Sequence, residues 1–262
     1  MKAGIRLGSL GTGSLKKDLQ RVLAIGVYGV QLRAADTEID PRAMSRSGRE
    51  ELADYIESLG FEVPALAGEL GGFAEPASVD ERVARTRAML DLCIDLRAPL
   101  LTVDAGAVGE PRSRSYDAIM DAIRDLAGYA LERDRRLTLT TGTEGIEQLA
   151  AFAAHAKSEG LRINYAPADL CRRGLDPVAG LKSAGRWIAH VQACDALSGT
   201  ALSPGDECPL TKGGARFDEA LAALRELGYD GHLSVGWTRD EDLAANAVGA
   251  VTWLKRQDGV DP

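Results

Sequence analysis

At 262 residues, with 31 basic and 39 acidic side chains and a net charge of −8, the chain has room for a full α/β core and no cationic face for nucleic acid or an anionic membrane. Its 45% hydrophobic and 27% charged content is that of a globular protein, and no stretch approaches a membrane span or a signal-peptide core. Four cysteines (Cys93, Cys171, Cys194, Cys208) without a CxxC pair point to reduced thiols and a cytoplasmic protein.

Strand-like and helix-like segments alternate along the chain. Ala3–Gly8 reads as a strand, followed by a glycine loop (Gly8, Gly11, Gly13) and a helix over Leu15–Ile25 that Gly26 ends. Tyr28–Leu32 is the second strand, reaching Gln31 and Arg33. Ser45 or Ser47 caps a helix running to Leu59, where Gly60 stops it. Phe61–Ala67 is the third strand, leading to Glu69. Ser78 and Glu81 have capping-box spacing at the head of a helix that ends near Leu96.

Leu100–Val103 follows as a strand with Asp104 at its end, then a helix over Ser115–Arg133. Leu137–Leu139 is the fifth strand, reaching Thr140 and Thr141, and Glu144–Lys157 the fifth helix. Leu161–Tyr165 is a strand that Pro167 breaks, and Pro177–Ser183 a short helix. The stretch RWIAHVQACDA, Arg186 to Ala196, is the seventh strand. On it Ile188, His190 and Gln192 share one face, and Val191 and Ala193 the other. Phe217–Leu227 is helical and closed by Gly228, Leu233–Val235 is the eighth strand, and Asp240–Lys255 the last helix.

Eight strand–helix units at this length predict one (β/α)8 TIM barrel, a single domain over residues 1–262. The competing doubly wound sheet usually carries a phosphate fingerprint, and GSLGTGS at Gly8–Ser14 has neither GxGxxG nor Walker spacing.

In a barrel the C-terminal strand ends form the site. Those ends are Gly8, Gln31, Arg33, Glu69, Asp104, Thr140, Thr141, Ala166, Asp169, Gln192, Asp195, Gly236 and Trp237. His190 sits two residues inside the seventh strand. His155 on a helix and His232 before the eighth strand are expected away from the mouth.

The segments TGTEG, NYAPADL with GLDPVAGL, HVQACDA and CPLTKGGARFDEALAALRELGYDGHLSV occur in that order. With IRLGSL, GVYGVQLRA and RTRAMLDLCIDLRAPLLTVDAG before them, they resemble the xylose isomerase-like barrels, and within these the sugar phosphate isomerase/epimerase group. The resemblance covers nearly the whole chain. It implies a divalent ion held by a Glu, an Asp, a His and a Glu from strands five to eight, the glutamates also moving the substrate proton. Those four positions are Thr140, Ala166, Gln192 and Gly236 here. Two offer no side-chain donor and two are neutral, so no metal and no other cofactor is expected, and inherited sugar isomerisation is not.

The expectation is therefore a barrel that binds a sugar-like small molecule at its mouth, either without catalysis or with altered function. Gln31, Arg33, Glu69, Thr140, Asp169, His190, Gln192 and Trp237 are the expected contacts. The alternative is a metal-independent isomerase, epimerase or lyase with Asp104 as acid/base. Asp169, Glu69 and Glu144 are further titratable candidates there, and Lys212 or Arg6 candidate electrophiles. A relocated metal site at Cys171 and Cys194, and self-association through the barrel helices, stay open.

Overall fold

Hydrogen bonding closes eight parallel strands into a ring in a computed structural model that describes residues 1–7, 14–236 and 243–261. In chain order the strands are β1 (Lys2–Arg6), β2 (Gly29–Arg33), β3 (Leu66–Ala67), β4 (Leu100–Val103), β5 (Arg136–Thr140), β6 (Leu161–Tyr165), β7 (Ile188–Ala193), β8 (Asp195–Ala196), β9 (Glu207–Cys208) and β10 (His232–Val235). The ring runs β1-β10-β7-β6-β5-β4-β3-β2, and β8 pairs with β9 in an antiparallel hairpin outside it. This is the single (β/α)8 TIM barrel that the alternation predicts.

Helices fill the crossovers: α1 (Leu15–Ile25), α2 (Arg46–Ser58), α3 (Val79–Asp95), α4 (Arg114–Leu131), α5 (Ile146–Ala156), α6 (Pro167–Arg172), α7 (Leu181–Ala184), α8 (Phe217–Glu226) and α9 (Leu243–Leu254). Period-2 alternation sorts each strand. Ala3, Ile5, Leu137, Leu139, Val191, Ala193, Leu233 and Val235 are buried in the apolar core with the helices. The intervening positions are polar or small: Gly4 and Arg6, Thr138 and Thr140, His190 and Gln192, Ser234 and Gly236. The lumen is thus lined by groups that need hydrogen-bond partners, and its upper end opens as a polar mouth.

Local signals account for most boundaries. Gly26, in the left-handed region at φ 76°, closes α1, and the Ser45 hydroxyl accepts from the Gly48 N–H at the head of α2. Ser78 departs from its capping-box spacing: its side chain makes no cap bond, and its hydroxyl lies 3.5 Å from the Glu75 carbonyl. The third strand is shorter than Phe61–Ala67. Pro64 has no N–H for the ladder, so only an isolated Gly29–Glu62 bridge precedes Leu66–Ala67. Pro167 ends β6 and, as the first residue of α6, also starts a short helix. The helix expected over Pro177–Ser183 begins only at Leu181, because the Asp176 carboxylate accepts from the Val178 and Ala179 N–H groups in a turn.

Candidate functional site

At the C-terminal strand ends a cavity of about 350 Å³ is lined by Arg6, Glu69, Asp104, Thr140, Asp169, Arg172, Gln192, Cys194, Glu207 and Gly236, with neighbouring loop residues. Of the expected contacts, Glu69, Thr140, Asp169 and Gln192 meet there, together with Asp104. Gly8 and Trp237 lie outside the described residues.

Three expected contacts sit elsewhere. Gln31 is fully buried, and neither of its amide atoms has a partner among the described residues. Arg33 is the last residue of β2 and is exposed, away from the cavity lining. His190 is enclosed in the lumen. Its Nδ1–H donates to Asn164 Oδ1 (2.8 Å) and its Nε2 accepts from the Ser234 hydroxyl (2.9 Å). That tautomer follows from Asn164, whose Nδ2 donates to Thr140 Oγ1 (3.0 Å). Burial pushes the His190 pKa down to about 3, helped by the nearby His232 and Arg6. It is a neutral core histidine that holds Asn164, which in turn holds Thr140 at the mouth.

Other candidates have local structural roles. Asp195 is buried, and its carboxylate accepts from the Ala196, Gly213 and Ala215 N–H groups. Glu144 accepts from the Val108 N–H (2.6 Å), and burial raises its pKa. Lys212 is exposed and outside the cavity lining. The Cys171 thiol donates to the Ala196 carbonyl and the Cys194 thiol to the Gly236 carbonyl (2.6 Å). Burial pushes Cys194 up to about 12, the thiol rather than the metal-binding thiolate.

The charged groups of the mouth face one another. Arg6 Nη2 donates to Glu69 Oε2 at 2.7 Å. Arg172 stands between Asp169 (3.8 Å) and Glu207 (3.6 Å), and its Nε donates to the Gly205 carbonyl. The Asp104 Oδ1 accepts from the Gly106 N–H at 2.7 Å. Arg6 is legible as the inward neighbour of Gly4 on an alternating strand. Arg172 and Glu207 are not: one follows a proline that reads as a breaker, the other lies in a hairpin within a Ser/Gly/Pro loop.

Asp169 keeps 38% of its side chain exposed and lines the cavity, yet desolvation by its surroundings pushes its pKa up to about 6, the arginines pulling the other way. A raised carboxyl pKa favours the fold below about pH 4 and withdraws that contribution as pH climbs through 6. Asp169→Asn should therefore raise stability at pH 8 by about 1 kcal/mol after discounting for solvent screening, and leave it unchanged at pH 4. Urea unfolding of both proteins at the two pH values checks this. A destabilised variant at pH 8 would contradict it.

A closed parallel barrel with polar side chains gathered at its C-terminal strand ends defines a (β/α)8 protein with a mouth site. The chain belongs to the xylose isomerase-like TIM barrels, whose family model matches residues 19–257. A search of curated proteins finds no match. Among solved structures it is similar to a xylose isomerase domain protein from Planctomyces limnophilus, at 22% identity over 97% of this chain and 95% of that one, with a TM-score of 0.87. It is similar also to the IOLI protein with a bound zinc atom (18% identity, 97% and 96% covered, TM-score 0.82). A D-tagatose 3-epimerase-like protein is a third (19%, 97% and 96%, TM-score 0.78). At these identities the likeness carries the fold alone. Among the described residues no helix is long and apolar enough to cross a membrane.

Proposed function

We propose that this barrel binds a neutral, sugar-like small molecule in its mouth and does so without a dication. The donor set carries the reading. At the four positions where the family resemblance implies metal ligands, the Thr140 oxygen already accepts from Asn164, Ala166 has no donor, Gln192 is a neutral amide and the Gly236 carbonyl accepts from the Cys194 thiol. Among the described residues, no three His, Cys, Asp or Glu side chains converge where they could hold a metal ion. A hard dication draws most of its affinity from anionic oxygens, and the residues present do not fit one.

The mouth suits a ligand rich in hydroxyls, which can donate to the Glu69 and Asp104 carboxylates and accept from the Arg6 and Arg172 guanidinium groups that line it. The 350 Å³ cavity is near the lower limit for small-molecule sites, which suits a monosaccharide. Four free thiols agree with the cytoplasm as its compartment. Thermal unfolding in EDTA with D-fructose, D-tagatose, L-erythrulose and myo-inositol tests the reading. Stabilisation that saturates with at least one of them, unchanged by EDTA, is expected. Stabilisation that appears only after Mn²⁺ or Mg²⁺ is added would overturn it.

A further inference from the structure

Three side chains of the lumen carry polar atoms that the protein itself does not satisfy. Both amide atoms of Gln31, the Thr102 hydroxyl and the Gln192 amide nitrogen are buried and have no partner among the described residues. Gln31 and Thr102 are fully buried and Gln192 is 6% exposed. Native proteins almost always satisfy such groups, because each is costly to bury alone.

The strand registers place Gln31 and Thr102 in one layer. Barrel strands are tilted, so a constant height is kept by stepping one residue past the register partner on each successive strand. From Gln31 on β2 that path meets Thr102 on β4, Asn164 on β6 and Ser234 on β10 as its inward residues, and it closes on Gln31. Its outward residues, Ile5, Leu66, Leu139 and Val191, are all fully buried in the core with the helices. By the same steps Gly4, Ala65, Thr138 and His190 form the layer below, and Arg6, Ala67, Thr140 and Gln192 the layer above. Layers of four side chains from alternate strands are the ordinary filling of such a barrel.

The two halves of the Gln31 layer differ. On one side His190 rises from below and joins Asn164 to Ser234. On the other, between β2 and β4, no side chain does the same. There β3 contributes only the methyl groups of Ala65 and Ala67, and the Thr138 hydroxyl is turned to the Leu101 carbonyl.

We propose that the lumen beneath the mouth is a binding site for ordered water, which joins Gln31 to Thr102 and to the Gln192 amide. Water fits this donor set. It accepts from Gln31 Nε2 and Gln192 Nε2, donates to Gln31 Oε1, and does either with Thr102 Oγ1. Buried water makes about three hydrogen bonds, so about two linked molecules satisfy all of these atoms. A metal cation does not fit, because the layer holds no carboxylate and two of the atoms are amide nitrogens. An apolar guest would leave every one of them unpaired. The water gives the relay from Ser234 through His190 and Asn164 to Thr140 a counterpart that ends at Gln192. Two side chains of the mouth wall are then held from inside the lumen, whatever molecule the mouth takes.

A high-resolution crystal structure, oxygen-17 relaxation dispersion of the water signal and thermal unfolding test the proposal. Density is expected about 2.7–3.2 Å from the Gln31 amide and from Thr102 Oγ1. Gln31→Met keeps the length of the side chain and removes its polar atoms. With water bound, the change strands that water, so the unfolding midpoint should fall by about 3 °C or more and the count of long-lived waters should drop. Thr102→Val should lower the midpoint too, and the double variant by less than the sum, since both residues hold the same water. An amide with nothing to bind gives the opposite sign: a midpoint that rises with Gln31→Met would overturn the inference. A map with no water at the Gln31 amide, an unchanged count of long-lived waters, or strictly additive losses would also overturn it. If Gln31→Met does not fold, the map of the parent protein decides.

Discussion

Replacing His190 with alanine is expected to cost about 4 kcal/mol of unfolding free energy at pH 7.5. The side chain is fully buried, and its loss leaves Asn164 Oδ1 and the Ser234 hydroxyl without partners inside the lumen. Each orphaned buried group costs about 1–3 kcal/mol, and the void adds to that. The sign with pH is also fixed. An unfolded histidine titrates near 6.5, and burial holds this one at about 3. Below about pH 6.5 the unfolded chain takes up a proton that the folded chain refuses, so stability is full above that value and falls toward pH 3. The variant should lose this part of the acid sensitivity. Urea unfolding across pH 4 to 8 measures both effects, and a loss under about 1 kcal/mol would contradict the role given to His190.

Asp195→Ala is expected to cost about 3 kcal/mol and to loosen one wall of the mouth. Three N–H groups, of Ala196, Gly213 and Ala215, would lose their acceptor at a position that is 1% exposed. The same carboxylate anchors the start of the β8–β9 hairpin, which delivers Glu207 and Pro204 to the cavity. Amide hydrogen exchange over residues 197–208 should accelerate while β4 and β5 stay protected. Unchanged exchange in the hairpin, with stability within about 1 kcal/mol of the parent, would refute this anchoring.

The barrel was legible because most strands separate their outward apolar residues from their inward polar ones, and glycines such as Gly26 and Gly60 mark where helices stop. The mouth was legible where a side chain stands at or just beyond a strand end, as Glu69, Asp104, Thr140, Asp169 and Gln192 do. Gln31 and His190 share the inward phase of their strands, so alternation alone could not say that they lie below the cavity rather than on its wall. Arg33 has that phase too, but it stands at the rim in solvent. Arg172 and Glu207 reach the site through α6 and the hairpin. Those pieces depend on a proline starting a helix and on Asp195 ordering a glycine-rich loop, contacts between distant residues that no local pattern encodes. The relay from Ser234 through His190 and Asn164 to Thr140 likewise exists only once β5, β6, β7 and β10 lie side by side.

Metal content measured on the purified protein, paired with calorimetric titration of Mn²⁺ into an EDTA-stripped sample, bears most directly on the claim that this mouth works with its own side chains. The expected result is far less than one ion per chain and no saturable heat at micromolar concentrations. One firmly held ion per chain, restored by titration after stripping, would contradict it.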